Sequence, residues 1–295
     1  MVRNIGRLLV LLLLMPAVLG WGREGHYATC KIAEGYLSKD AVAAVKELLP
    51  ESADGNLASL CSWPDDMRTN PQYRWAIILH FADTPDYKCN YDYCRDCHDS
   101  NGNKDACVTG AIYNYTTQLR SAIVDTKSKS KYNLTEALLF LSHFLGDVHQ
   151  PLHEGFVGDR GGNSIILRWY AEQTNLHFVW DNKIIESAME KFYSNNLEVM
   201  IQAIQRNITD IWSDDKTYWE HCAHNYIACP NRYASESIKL ACKYAYKNAT
   251  PGSTLGDDYF LSRLPIVEKR LAQGGVRLAA ILNRIFAPQI GIAQA

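Results

Sequence analysis

The sequence has little net charge, and after its first twenty residues it has no apolar run of about 18 residues, the length that crosses a membrane. Of its 295 residues, 30 are basic and 32 are acidic, while 47% are hydrophobic. It also lacks an internal repeat and a low-complexity linker. We therefore expect neither an integral membrane protein, nor a disordered chain, nor a protein that binds DNA through a broad basic surface.

The first twenty residues have the pattern of a secretory signal peptide. Arg3 and Arg7 precede an apolar run over residues 8–18 that is interrupted only by Pro16, and the small-residue positions 18 and 20 follow. This pattern predicts cleavage directly before Trp21. The remaining chain then has 30 − 2 = 28 basic and 32 acidic residues, a net charge of −4. Binding of phosphate by such a chain requires positive charge that is concentrated at one place.

The nine cysteines all follow the predicted signal peptide, at Cys30, Cys61, Cys89, Cys94, Cys97, Cys107, Cys222, Cys229 and Cys242. In a secreted chain they favour disulfides, and their odd number leaves at least one without an intrachain partner. The C-x-x-C at positions 94 and 97 is also typical of zinc sites, but no second such pair exists. Short spacing is consistent with two local bridges, 97–107 and 222–229. Four sequons predict glycosylation at Asn114, Asn133, Asn207 and Asn248.

Helical patterns dominate the chain after the signal peptide. Apolar periodicity predicts helices over residues 29–37, 39–49, 110–124, 134–148, 177–192, 197–212, 233–246 and 259–285. Asn133 and Glu136 form a capping pattern before the fourth of these, and Pro151 ends it. A short β patch is expected at 163–170. We predict an all-α (mainly α) fold in which residues 21–286 form one compact domain, followed by a tail, 287–295, that is open to trimming.

Histidine and aspartate recur at one spacing. His143 and Asp147 are four residues apart, as are His177 and Asp181, and His153 lies close by in the sequence. Residues i and i+4 share one face of a helix, so each pair can reach the same metal ion. A single pair is more typical of an ion pair on a helix surface. Two pairs and a further histidine favour a zinc site, because imidazole and carboxylate are ligands of catalytic zinc.

Several segments together resemble the zinc-dependent single-strand nucleases of fungi and plants, and the plant bifunctional nucleases above all. They are Trp21-Gly-Arg-Glu-Gly-His26, Ser62-Trp-Pro-Asp65, His80-Phe-Ala-Asp-Thr-Pro, the 143–153 segment and Asn175-Leu-His-Phe-Val-Trp-Asp181. Pro64 departs from the family's Trp-Ala-Asp motif. The likeness extends from Trp21 to Phe286. The zinc-dependent phospholipases C are more distant relatives in fold.

The resemblance implies three Zn²⁺ ions and assigns their ligands. The first ion is held by Asp65, His80, His143 and Asp147. The second is held by the amine and carbonyl of Trp21, by His26 and by Asp147, which is shared with the first. The third is held by His153, His177 and Asp181. An amine at Trp21 exists only if the signal peptide is removed there, which the leader pattern independently predicts. Three zinc ions and three aspartates leave a charge of +3, which concentrates positive charge on an acidic protein.

The resemblance also implies the reaction, which is hydrolysis of single-stranded DNA and RNA to 5′-phosphate products by a metal-activated hydroxide, with 3′-nucleotidase activity. Asp65 orients the hydroxide, and Arg68 stabilises charge on the phosphate; the alternative for Arg68 is a solvated surface arginine. Phe81, Asp83 and Asn163 form a nucleobase pocket, although Phe81 can also be ordinary core. We expect no membrane contact, no stable protein partner, a monomer, and secretion or retention in a secretory compartment such as the vacuole.

The family pattern further implies the disulfides Cys30–Cys61, Cys89–Cys242, Cys97–Cys107 and Cys222–Cys229, which leaves Cys94 over. Two other functions compete with the nuclease. A zinc-dependent phospholipase C shares the ligand types but needs a lipid-facing surface. A non-catalytic, disulfide-bonded glycoprotein predicts no stoichiometric zinc.

Overall fold

The structure, a computed structural model, describes residues 21–124, 131–223 and 226–287, and its secondary structure is mostly helical. The α-helices are α1 (Arg23–Glu34), α2 (Lys39–Leu48), α3 (Trp63–Asp66), α4 (Tyr93–Asp96), α5 (Val108–Val124), α6 (Leu134–Asp147), α7 (Leu176–Phe178), α8 (Ile184–Phe192), α9 (Leu197–Asp210), α10 (Ser213–Glu220), α11 (Pro230–Leu240) and α12 (Asp257–Phe286). The 3-10 segments are Glu51–Ala53, Ala58–Leu60, Met67–Thr69, Pro71–His80 and Pro151–Glu154, and the π turns are Val179–Lys183 and Ala241–Ala245. The predicted mainly α fold is confirmed. The predicted signal peptide and residues 288–295 of the tail lie outside the described residues.

Helix α6 lies in the centre of the molecule. All of its residues from Ala137 to Asp147 are buried, because the sequence is apolar around the whole circumference of the helix. It contacts α1, α5 and α12. The Asn133 side chain accepts a hydrogen bond from the backbone N–H of Glu136 at 3.2 Å, which is the predicted cap. Any polar residue on α6 must therefore find its partners inside the protein.

The N-terminal helix α1 packs against the long helix α12. The close approach depends on Gly275, where a Cβ atom would lie 2.5 Å from Cγ2 of Ile32 and 2.9 Å from the carbonyl oxygen of Thr29. The predicted helix 29–37 is wrong at both ends, since α1 begins at Arg23 and ends at Glu34. Its first turn brings His26 into the buried interior.

The β patch predicted at 163–170 is one strand of a three-stranded sheet. Strand β1 (Ile166–Trp169) pairs antiparallel with β2 (Glu172–Asn175) and parallel with β3 (Thr254–Leu255). The hairpin leads directly into α7, where the Asn175 side chain accepts a hydrogen bond from the N–H of Phe178 at 2.8 Å. The sheet thereby positions the segment that carries His177 and Asp181.

The structure contains four disulfides, Cys30–Cys61, Cys89–Cys242, Cys97–Cys107 and Cys222–Cys229, and Cys94 is an exposed free thiol. The predicted sequons Asn114, Asn133 and Asn248 are exposed, and Asn207 is half-buried. None of the helices in the described ranges is long and apolar enough to span a bilayer.

Candidate metal centre

Side chains from six separate segments meet beside the C-terminal half of α6. His143 and Asp147 come from α6 itself and are completely buried. The other segments are α1 with His26, α3 with Asp65, the two 3-10 segments with His80 and His153, and α7 with the following π turn, which carry His177 and Asp181. All eight of these predicted ligands are buried, and the structure brings them together.

One half of the centre surrounds the carboxylate of Asp147. Its Oδ1 lies 3.3 Å from Nε2 of His26, and its Oδ2 lies 3.0 Å from Nδ1 of His80 and 3.3 Å from Nε2 of His143. Asp65 closes the other side, with Oδ1 3.6 Å from the same two nitrogens of His80 and His143. These five side chains present imidazole nitrogen and carboxylate oxygen around one volume.

The second half contains His153, His177 and Asp181. Oδ2 of Asp181 lies 3.4 Å from Nε2 of His177, and Oδ1 lies 4.0 Å from Nε2 of His153. Nδ1 of His153 is 3.7 Å from Asp147, so the two halves are adjacent. Donor atoms lie within 4.8 Å of one another in three groups: His26, Asp65 and His143; His80, His143 and Asp147; and His153, His177 and Asp181.

Backbone carbonyls fix the orientation of three of the imidazole rings. His143 Nδ1 donates to the carbonyl of Cys61 at 2.8 Å, and His177 Nδ1 donates to that of Gly161 at 2.5 Å. His153 Nδ1 donates to the carbonyl of His80 at 2.6 Å. In each ring the proton on Nδ1 is thus held by a carbonyl, and Nε2 is the nitrogen that is directed toward the other ligand groups. Metal-binding histidines are commonly oriented in this way.

Many of the inward-facing polar atoms have no hydrogen-bond partner among the described residues. They are both ring nitrogens of His26, Nε2 of His80, His153 and His177, Oδ1 of Asp65 and Asp147, and Oδ2 of Asp181. Buried polar atoms are almost always paired, because an unpaired one costs about 1–3 kcal/mol. The donor types and their unpaired state therefore fit metal ions, and zinc accepts each of these ligand types.

Burial also sets the protonation of these groups. Burial, together with the neighbouring His143, lowers the pKa of His26 to about 4. Burial likewise lowers the pKa of His177 well below its ordinary value. Burial opposes ionisation of His143 too, but the carboxylates of Asp147 and Asp65 raise its pKa to about 9. His26 and His177 are consequently neutral at physiological pH, which is the form that binds metal.

Trp21 lies at the edge of this centre. Its side chain is completely buried, and the N–H of the following Gly22 donates to the carbonyl of Asp181 at 2.9 Å. Gly146 of α6 leaves room for the first turn of α1, because a Cβ there would lie 2.7 Å from Nδ1 of His26 and 3.6 Å from Cδ1 of Trp21. The chain from residue 21 onward is thus packed directly against the ligand groups.

A cavity of about 410 Å³ opens beside the metal-ligand residues, and we call it the metal-site cavity. Its lining residues are Arg68, Ile77, His80, Phe81, Asp83, Leu152, His153, Val157, Arg160, Asn163 and His177. Arg68 is only 17% exposed, with NH1 3.6 Å from Oδ1 of Asp65, so it is not a solvated surface arginine. Phe81 is half-buried and lines the cavity. Burial and the charge of Asp159 raise the pKa of Asp83 to about 8, so this carboxyl is largely protonated at neutral pH.

Two residues of the site were missed by the sequence analysis. Arg160 lines the metal-site cavity and has a left-handed backbone with φ of 56°, as do the two glycines after it. Such strain in a non-glycine residue is typical of functional sites, and the Arg-Gly-Gly-Asn run was its signal in the sequence. Gln150 is completely buried and donates from Nε2 to Oδ1 of Asp181 at 2.5 Å. A glutamine next to Pro151 gives no indication in the sequence that its side chain contacts Asp181.

Comparison with known proteins agrees with this geometry. The sequence profile described as S1/P1 Nuclease matches residues 21–287. The chain belongs to the S1/P1 nuclease family. Endonuclease 4 of Arabidopsis thaliana is 66% identical over 280 residues, which cover 95% of this chain and 94% of that protein. Nuclease P1 of Penicillium citrinum is 31% identical over 280 residues, which cover 92% of this chain and 99% of that protein.

Membership of the S1/P1 nuclease family decides between the competing functions. The resemblance to the nucleases is confirmed, and the chain is a hydrolase of nucleic acids. The non-catalytic glycoprotein is therefore wrong as an interpretation of the whole chain. Nothing in the described residues favours a phospholipase C.

Proposed function

We propose that this nuclease is a zinc-dependent endonuclease that hydrolyses single-stranded DNA and RNA to 5′-phosphate products and also removes phosphate from 3′-nucleotides. The observation that carries the proposal is the set of buried imidazole and carboxylate atoms that converge in three groups and lack partners among the described residues. The names of the relatives, endonuclease and nuclease, support the same class of reaction.

The ligand assignment that we propose uses every one of these groups. One zinc ion would be held by Asp65, His80, His143 and Asp147. A second would be held by Trp21 through its amine and carbonyl, by His26 and by Asp147. A third would be held by His153, His177 and Asp181. Bound zinc supplies Lewis-acid stabilisation of phosphate charge and lowers the pKa of water to near neutrality. The surrounding carbonyl contacts and Gln150 hold the ligands in place before substrate arrives.

Arg68 and Asp65 act on the reacting phosphate in this proposal. The Arg68 guanidinium lines the cavity next to Asp65, where it can donate to phosphate oxygens as negative charge develops in the transition state. Oδ1 of Asp65 is buried without a hydrogen-bond partner among the described residues, and it can accept a proton of the attacking water and so orient it. Both side chains are already close to the ligand groups.

The nucleobase binds against Phe81, whose ring lines the metal-site cavity. Asp83 and Asn163 line the same cavity and offer polar atoms to the edge of the base. Stacking on an aromatic ring contributes about 1–3 kcal/mol for any base, so this pocket favours binding without sequence preference. A base enters such a pocket only when it is free of its duplex partner, which is the basis of the proposed preference for single strands.

We further propose that the mature protein begins at Trp21 and is a secreted or secretory-pathway monomer with glycans at some of its sequons. The four disulfides support this location, because they form and persist in oxidising compartments.

Zinc analysis combined with substrate assays tests the proposal. Protein purified without chelator should contain three zinc ions per chain, and its intact mass should correspond to a chain that starts at Trp21. It should cleave single-stranded DNA and RNA faster than duplex DNA and release phosphate from 3′-AMP but not from 5′-AMP. Active protein with less than one zinc per chain would overturn the metal assignment, and hydrolysis of phosphatidylcholine instead of nucleic acid would overturn the substrate.

A further inference from the structure

A second cavity, of about 610 Å³, adjoins the metal-site cavity. We call it the loop cavity, because it is lined in part by His98 in the disulfide-bridged loop between Cys97 and Cys107, and by Arg95 in the adjoining helix α4. The two cavities share Phe81, Asp83 and Val157. A ligand that extends beyond Phe81, away from the metal ligands, therefore enters the loop cavity. Its volume lies within the roughly 300–1,000 Å³ that is typical of small-molecule sites.

The carboxylates in the wall of the loop cavity are largely engaged within the protein. Asp86 accepts a hydrogen bond from the N–H of Gly158 at 2.7 Å, and Asp99 accepts bonds from Asn101 and Asn103. The rest of the wall includes the apolar residues Ile78, Phe81, Ala82, Pro85 and Val157. An apolar cavity with acidic residues around it disfavours a phosphate group and favours an uncharged, flat ligand.

Two flat side chains that line the loop cavity, Arg95 of α4 and His98 of the bridged loop, are held in fixed orientations. The Arg95 guanidinium donates to both carboxylate oxygens of Asp96, at 2.6 and 2.8 Å, and to the carbonyl of Asn90. His98 Nδ1 donates to the carbonyl of Asp99 at 2.9 Å. Because N–H groups at the edge of the guanidinium bind Asp96, the part of Arg95 that remains for a ligand is mainly the planar face of the guanidinium. Arginine planes and aromatic rings are the surfaces on which unpaired bases stack.

We propose that the loop cavity binds the base of the nucleotide on the 5′ side of the nucleotide held at Phe81. This inference rests on the proposed function, in which a 3′-nucleotide places its base at Phe81 and its 3′-phosphate at the metal ligands. The rest of the strand then continues from the 5′ side of that nucleotide, away from its 3′-phosphate. The loop cavity adjoins the metal-site cavity at Phe81, has none of the predicted metal ligands in its lining, and has the size and lining for one further base.

Three small ligands separate the contribution of the upstream base. They are 3′-dTMP, the dinucleotide dTpdTp with an uncharged methylphosphonate between its nucleosides, and the same dinucleotide with an abasic upstream sugar. Their affinities are measured by displacement of a fluorescent oligothymidylate, and their KM values are measured from phosphate release. The dinucleotide should bind about tenfold more tightly than 3′-dTMP, as expected for one stacked base, and the abasic dinucleotide should not.

A cavity-filling variant tests the location. Ala106 lines the loop cavity only, and Ala106→Phe should reduce the affinity ratio between dinucleotide and 3′-dTMP to about one. Ala203→Phe, at a half-buried position on α9 outside both cavities, is the matched control and should keep the wild-type ratio. His98→Ala is a milder second variant that should lower the ratio in part if Ala106→Phe does not fold.

Equal binding of the dinucleotide and its abasic form by the wild-type protein would overturn the inference, as would a folded Ala106→Phe protein that keeps the full ratio. Failure of the proposed function has a different signature. In that case the zinc-loaded wild-type protein releases no phosphate from 3′-dTMP, while the displacement measurements still report whether an upstream base is bound.

Discussion

Asp147 connects more metal-ligand groups than any other single residue of the described centre. Its Oδ1 faces His26 and its Oδ2 faces His80, and both distances are 3.3 Å or less. Asp181 differs, because one of its oxygens already accepts a hydrogen bond from Gln150. Both residues are buried aspartates. Comparing their variants therefore isolates the effect of a carboxylate that binds two zinc ions from that of a carboxylate that binds one.

Replacing each aspartate by its neutral isostere tests the bridge. Asp147→Asn should remove two of the three zinc ions, because both proposed sites of the close pair lose a charged ligand, whereas Asp181→Asn should remove one. We expect the activity loss of Asp147→Asn to be the larger by at least about tenfold. Zinc content by mass spectrometry and cleavage of single-stranded DNA report the two effects. Equal loss of zinc and of activity in both variants would show that Asp147 does not bridge.

Gln150 acts on the site through Asp181. Its Nε2 donates to Oδ1 of Asp181, and its Oε1 accepts the N–H of Leu152 at 2.6 Å, so it also holds the turn that carries His153. Gln150→Leu should weaken binding of one zinc ion by about 10–100-fold, the usual effect of losing a partner of a metal ligand. A zinc titration with a fluorescent chelator measures this. Gln202→Leu, an exposed change on α9, is the control and should leave all zinc affinities unaltered.

At the scale of elements, long helices were easier to predict than the segments that carry ligands. Helix α6 was recognised because its apolar residues and its Asn133 cap are local signals. The first turn of α1 was missed, since Arg23 to His26 contains a glycine and no apolar periodicity. Strand β3 was also missed, because its pairing with β1 joins residues 86 positions apart, such as Arg168 and Thr254. Strand β2 was missed although it forms a hairpin with β1, because Glu172-Gln-Thr-Asn175 is polar and shows no apolar alternation.

The packing of α1 on α12 requires a glycine at position 275. Gly275→Ala should lower the free energy of unfolding by about 1–3 kcal/mol, because the new methyl group would overlap Ile32 and the backbone of Thr29. Urea denaturation measures the change. In Gly35→Ala, the control, the added Cβ meets the end of the flexible Gln205 side chain at 3.0 Å and the carbonyl oxygen of Ile32 at an ordinary contact distance of 3.4 Å, so a change below about 0.5 kcal/mol is expected. A stable Gly275→Ala protein would show that the two helices can separate slightly without cost.

Helices α11 and α12 are joined by an ion-pair cluster in which the half-buried Glu236 pairs with two buried arginines. Arg277 donates to both of its carboxylate oxygens, at 2.6 and 2.8 Å, and Arg270 donates at 2.9 Å. Burial opposes ionisation of Glu236, but these arginines hold its pKa well below the ordinary value of 4.5. The same arginines contact the backbone and side chain of His149, just beyond α6, so the cluster also supports the segment after Asp147.

Glu236→Gln should therefore destabilise the protein by about 3–5 kcal/mol at pH 7, because it leaves two buried arginines without their counter-charge. A carboxyl group with a lowered pKa in the folded state contributes stability above its unfolded pKa and loses that contribution as the pH falls. The difference between wild type and variant should thus be constant from pH 7 to about pH 5 and shrink below about pH 4.5. Denaturation at several pH values measures it; a difference that grows on acidification would contradict the assignment.

For the whole molecule, overall charge does not explain binding of nucleic acid. The sequence from residue 21 onward carries a net charge of −4, so the protein does not attract nucleic acid through its overall charge. The spacing of histidine and aspartate in the sequence singled out part of the predicted ligand set, namely His143, Asp147, His153, His177 and Asp181. His26, Asp65 and His80 were predicted only through the family resemblance. Arg160 and Gln150 were not predicted, since their roles depend on which distant residues the fold brings beside them. The proposed N-terminus at Trp21 combines both kinds of information. The leader pattern predicts its position in the sequence, and the fold places the following Gly22 against the carbonyl of Asp181.

Removal of the leader is consequently expected to be a step in making the active centre. A backbone amide at Trp21 cannot replace a free amine as a ligand, so a protein with one additional glycine before Trp21 should hold two zinc ions instead of three. Its activity should fall by more than about 100-fold, while its circular dichroism and its four disulfides stay unchanged. Treatment with an aminopeptidase that removes the glycine should restore both zinc and activity, which separates loss of the ligand from misfolding. If the extended protein is fully active with three zinc ions, the amine is not a ligand and leader removal serves secretion alone.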